Sequence, residues 1–137
     1  APAAPGQVSV RFADTMSMST YIVAFIVGPL EATEPIDVDG TPLRIIHVPG
    51  KSHLTDFGKR VGAFSLKWFQ DYYGIRYPAA KLDLVAMPDF AAGAMENIGC
   101  ITFREVLLLV DPEKPYWQHH EGFEHEPIGN FYESDFS

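Results

Sequence analysis

The 137-residue chain holds a single cysteine, Cys100, so no disulfide can form within it. Cysteine this sparse fits a reducing compartment, and the expectation is the cytoplasm. Cations are also short: 10 Lys and Arg stand against 18 Asp and Glu, a net charge of −8. With no basic cluster to offset that balance, nucleic acid is not expected as a partner. No apolar run is long enough to span a bilayer, since Tyr21 to Leu30 is short and broken by Gly28 and Pro29. No internal repeat and no signal peptide is recognisable, and an excised piece of a longer protein would not show a signal peptide.

What is present reads as two incomplete units. Residues 8–34 have strand character. Ser19, Tyr21, Val23, Phe25 and Val27 alternate with Met18, Thr20, Ile22, Ala24 and Ile26, and both sides are substantially apolar. That pattern suits a strand buried within a larger sheet. Glu31 to Pro35 reads as a loop, Asp39-Gly40 as a hairpin turn and Thr41 to Val48 as the return strand. Residues 54–73 give the clearest helix: Leu54, Phe57, Val61, Phe64, Trp68 and Tyr72 recur in steps of three and four. This apolar stripe is expected in the core. Thr55 or Ser52 can cap the start, Asp56 suits the first-turn dipole, and Gly74 can end the helix. Residues 81–87, 98–104 and 106–110 read as strands of a small sheet. Cys100 is expected to be a buried apolar thiol, and His47 and His53 to be isolated surface or packed groups.

Between two of those strands lies Gly93-Ala94-Met95-Glu96-Asn97, where Glu96 is the charged residue of an otherwise apolar segment. A carboxylate buried there requires a cationic partner. Arg104 or Lys81 could supply one internally, and a cation from outside the chain is the other possibility.

The pentapeptide resembles the exopeptidase signature of the zinc aminopeptidases related to aminopeptidase N, a gluzincin family. The resemblance continues through Met18 to Gly28, Trp68 to Pro78, Lys81 to Asn97 and Ile101 to Val110, covering roughly residues 11–111 in family order. It implies an α+β chain: residues 1–48 as the end of an all-β amino-terminal domain, and residues 49–111 as the start of a thermolysin-like α/β catalytic domain. It also implies removal of single residues from peptide amino termini. Gly93, Ala94, Met95, Glu96 and Asn97 would bind substrate, with Glu96 on the peptide ammonium and Met95 lining the pocket for the first side chain. The small Gly93 and Ala94 would let a peptide backbone lie alongside as an added strand. Ala94, where related leukotriene hydrolases carry a second Gly, points to the plain aminopeptidase branch.

The family's zinc motif, HExxH, is absent. In His119-His120-Glu121-Gly122-Phe123-Glu124-His125-Glu126, the histidines His120 and His125 stand five apart. On a helix that spacing turns them about 140° from each other. Gly122 and Pro127 oppose a long helix there. Zinc is therefore expected in the full-length parent and not in this chain, and no catalytic residue is assigned within it. Residues 112–137 read as an acidic, His- and aromatic-rich tail outside the resemblance. Residues 111–137 carry seven carboxylates and one Lys, a composition that offers little periodic structure. The alternative to an aminopeptidase piece is a non-catalytic peptide-binding relative of the same scaffold, or a truncated product without activity of its own.

Overall fold

The computed structural model describes residues 6–114. Its centre is a mixed sheet. Strands β1 (Glu31–Ala32), β2 (Ile36–Val38) and β3 (Thr41–His47) are followed by helix α1 (Asp56–Tyr73). Then come β4 (Leu82–Met87), β5 (Ala94–Met95), β6 (Cys100–Arg104) and the short helix α2 (Glu105–Leu108). The strand order is β1-β3-β4-β6-β5, with β2 also pairing β3. β3, β4 and β6 run parallel; β1, β2 and β5 are antiparallel to their neighbours.

The Asp39-Gly40 turn joins β2 to β3 as its residue types require. Both residues take positive φ, 50° and 89°, the geometry that Asp-Gly tolerates and most pairs do not. β3 alternates strictly, with Thr41, Leu43, Ile45 and His47 buried on one face. β4 is buried from Leu82 to Ala86 on both faces, as a central parallel strand must be. β3 precedes residue 48 and β4 follows it, so one sheet crosses the domain boundary expected there.

Helix α1 runs close to its expected span and ends at Gly74, which takes φ 64° in the left-handed region. Thr55 stands at the N-cap position, but its hydroxyl donates to the Ser52 carbonyl at 2.8 Å and accepts no N–H of the helix. The larger correction concerns which face is buried. Gly58, Leu66 and Gln70 are buried, whereas Phe57, Val61, Phe64, Trp68 and Tyr72 lie outward, Trp68 being 47% and Tyr72 68% exposed. The glycines explain the rotation. A Cβ on Gly58 would lie 2.6 Å from the Leu108 carbonyl oxygen, and one on Gly62 would lie 2.6 Å from Leu84 Cδ1. The helix backbone therefore sits against the sheet and α2 at a distance that only glycine allows. The outward rings pack on one another, Trp68 stacking on Tyr72 with centroids 4.9 Å apart.

Two other expectations are corrected. Residues 18–27 form no strand: Thr20–Ile22 is a 3-10 turn, and Phe25 is 82% exposed. A strand needs a neighbour to receive its N–H and C=O groups, and among the described residues this segment has none. Residues 106–110, read as a strand, begin instead as α2, whose Leu108 and the following Leu109 bury against the core. A five-residue apolar run does not distinguish strand from helix by itself. Lys51 and Glu105 form an ion pair at the start of α2. His47 is a packed group as expected, its Nδ1 2.7 Å from the Val48 carbonyl oxygen, while His53 is exposed.

Candidate functional site

The sheet brings Gly93 to Asn97 to its edge. β5 pairs with β6 in the register Ala94↔Phe103 and Met95↔Thr102, and it is the last strand in that direction among the described residues. One side of its backbone is thus occupied by β6, and no described strand covers the other. Gly93 does not leave an open surface on its missing side chain's side: a Cβ there would meet Leu107 Cδ1 at 3.4 Å. Ala94 is exposed and Met95 half-buried.

Glu96 follows β5 directly and is exposed, not buried as the sequence implied. Neither internal cation reaches it. The Arg104 guanidinium donates from Nε to the Phe90 carbonyl at 3.1 Å and from Nη2 to the Ala91 carbonyl. Lys81 Nζ donates to Asp83 and to the Gly99 carbonyl, each at 2.6 Å. Among the described residues Glu96 enters no ion pair. The exposed Glu96 carboxylate thus stands beside a sheet edge that no described strand covers.

Asn97 turns inward. It is buried, and its Oδ1 accepts from the Thr102 hydroxyl at 3.1 Å while its carbonyl accepts from the Cys100 N–H at 3.0 Å. This closes the loop between β5 and β6. Gly99 takes φ 71°, and its N–H donates to the Tyr77 hydroxyl at 2.8 Å. Burial raises the Tyr77 phenol above its ordinary range, keeping the hydroxyl protonated at neutral pH. Its proton remains available to another acceptor, because the hydroxyl receives the Gly99 hydrogen on a lone pair.

Below the loop, Asp83 accepts both arms of Arg44, at 2.8 and 2.9 Å, in addition to Lys81. Burial alone would raise the Asp83 carboxyl, but the hydrogen bonds and charges of Arg44 and Lys81 outweigh it and hold the group below its ordinary value. Cys100 is half-buried where full burial was expected, and burial pushes its thiol up from the ordinary value.

The sequence missed the support around the loop. Tyr77 lies 22 residues from Gly99 and Arg104 lies 14 from Phe90, and no local pattern connects them. Among the described residues no three His, Cys, Asp or Glu side chains are placed to hold one metal ion. The His119–His125 segment lies outside the described residues.

Residues 59–125 match the family described as "Peptidase family M1 domain". The match thus runs past Asp111-Pro112, where the resemblance was expected to stop. Aminopeptidase 2 of Candida albicans is 48% identical over 104 residues, 76% of this chain and 11% of the relative. The chain belongs to peptidase family M1. The puromycin-sensitive aminopeptidase of Caenorhabditis elegans is 42% identical over 104 residues, again 76% of this chain and 11% of the relative. Endoplasmic reticulum aminopeptidase 1 of Homo sapiens is 41% identical over 111 residues, 81% of this chain and 12% of the relative. The M1 chain thus spans about one-eighth or less of the length of these curated relatives. No described helix is long and apolar enough to cross a membrane.

Proposed function

We propose that these residues form the substrate-anchoring part of an M1 aminopeptidase, with Glu96 holding the free amino terminus of a peptide whose backbone runs beside β5. The observation that supports this most is the setting of Glu96: an exposed carboxylate at a sheet edge, without an ion pair among the described residues and with Arg104 and Lys81 committed elsewhere.

The energetics follow from protonation. A peptide α-amino group has a pKa of roughly 7.7–8.0 and is largely an ammonium at neutral pH. A charge-assisted hydrogen bond to a fixed carboxylate contributes about 1.5–3 kcal/mol. An internal peptide segment has no ammonium, so it desolvates Glu96 without replacing its hydration. Exopeptidase selectivity is the difference between those two cases. β5 offers backbone groups to extend the grip along the peptide, and the half-buried Met95 borders the first side chain.

Gly93, Ala94, Met95, Glu96 and Asn97 accordingly divide their roles. Glu96 holds charge, Ala94 and Met95 supply strand and pocket, and Gly93 and Asn97 fix the two ends. Zinc, which the family reading implies for the full-length enzyme, is assigned to no described residue. The single cysteine keeps a reducing compartment, the cytoplasm, as the proposed location.

Substrate discrimination tests the proposal. In the full-length protein carrying these residues, acetylating the amino terminus of a good peptide substrate removes the ammonium and should lower kcat/KM by about tenfold or more. Equal turnover of free and acetylated peptides would overturn the assignment.

A further inference from the structure

We propose that Arg104 is a positioning residue for the Glu96 anchor, acting through the loop that leads into β5. This rests on the reading of Glu96 as the ammonium receptor. The loop from Pro88 to Gly93 joins the end of β4 to β5, and Ala91, Ala92 and Gly93 are all exposed. Phe90 is its half-buried apolar side chain, and from Ala91 to Gly93 its course is set by hydrogen bonds. Arg104 supplies three of them: Nε to the Phe90 carbonyl at 3.1 Å, Nη2 to the Ala91 carbonyl, and its own backbone N–H to the Gly93 carbonyl at 2.8 Å. Arg104 is also the register partner of Met87 at the end of β4. One residue therefore ties together the exit of β4, the loop and the entry to β5.

Glu96 lies three residues beyond the last of those carbonyls. Releasing the loop lets β5 shift along or away from β6, and the carboxylate shifts with it. Displacements of about 1 Å at a positioned group cost up to roughly a hundredfold in rate. The fork of the guanidinium matters because two neighbouring carbonyls are gripped at once, whereas a lysine ammonium is a point donor on a flexible stem. The Arg104 side chain is exposed, so its removal opens no cavity in the core and the functional effect can be read apart from folding.

A double-mutant cycle in the full-length protein tests this, with kcat/KM on an aminoacyl-anilide and the melting temperature read for each variant. Arg104→Met should lower kcat/KM about tenfold, and Arg104→Lys should fall between it and the unaltered protein. In the Glu96→Gln background, Arg104→Met should cost no more than about twofold, because the group it positions has lost its charge. The same fold-loss in both backgrounds would overturn the proposal, as would no loss on Arg104→Met where Glu96→Gln is strongly impaired. If Arg104→Met does not fold, Arg104→Lys is read in the same cycle by the same criterion. Full activity of Glu96→Gln would refute the anchor itself, a failure distinct from that of Arg104.

Discussion

Asp83 concentrates the charge chemistry of the sheet's second face. Its side chain is 10% exposed, and it receives the fork of Arg44 and the ammonium of Lys81. Because its folded pKa lies below the ordinary 3.8, the stabilisation is fully present above that value and is lost as pH falls through the folded pKa. Asp83→Asn should therefore destabilise the protein at neutral pH by about 1–3 kcal/mol, the lower part of the range reflecting the water still reaching Arg44 and Lys81. It should also flatten the acid limb of stability below about pH 4. Melting temperatures at pH 7 and across pH 2–4 check both; an Asp83→Asn variant as acid-sensitive as the original would contradict the account. At this scale the sequence announced the pentapeptide but not its setting. Glu96 reads as buried because its neighbours Met95 and Ile98 are apolar, yet a two-residue edge strand turns the carboxylate outward. Arg104 and Lys81 were legible as candidate cations. That they hold backbone carbonyls depends on strand pairing, which no local pattern encodes.

For the elements, helix α1 carries the main lesson. Its existence, its approximate ends and the role of Gly74 follow from periodicity and terminal residue types. Its orientation does not, because hydrophobicity alone nominates the aromatic stripe for the core. The deciding residues, Gly58 and Gly62, carry no hydrophobic signal and act by permitting close approach. Gly58→Ala should accordingly destabilise by about 1–3 kcal/mol, since the nearest atom is a backbone oxygen at 2.6 Å that cannot rotate away. This holds although alanine is the better helix former by about 1 kcal/mol. Gly93→Ala is the control: it meets only the end of the Leu107 side chain, at 3.4 Å, and should change the melting temperature little. A Gly58→Ala variant that melts higher than the original would show that α1 does not sit where it is placed.

At the scale of the whole molecule, the described residues leave apolar surface uncovered on the outward face of α1, at Val8, Val10 and Phe12, through Val23, Phe25 and Val27, and at Val106 and Leu107. Contiguous exposed apolar area is a self-association hazard, so the 137-residue chain alone should run larger than a monomer on size-exclusion chromatography. A clean monomer with a sharp cooperative melt would contradict that. The parallel β3-β4-β6 core and the β5 edge were legible only as separate strands; their order, and the passage of the sheet across residue 48, required the fold. The measurement closest to the central claim is kcat/KM of Glu96→Gln in the full-length protein, with metal content and melting temperature taken on the same preparations. Glutamine keeps the shape and removes the charge, so kcat/KM for free-amino-terminus substrates should fall about ten- to a hundredfold, equivalent to about 1.5–3 kcal/mol. Acetylated substrates should lose little further, and zinc content and melting temperature should not change. A variant that keeps full activity, or that loses its fold while each folded molecule stays fully active, would contradict the account.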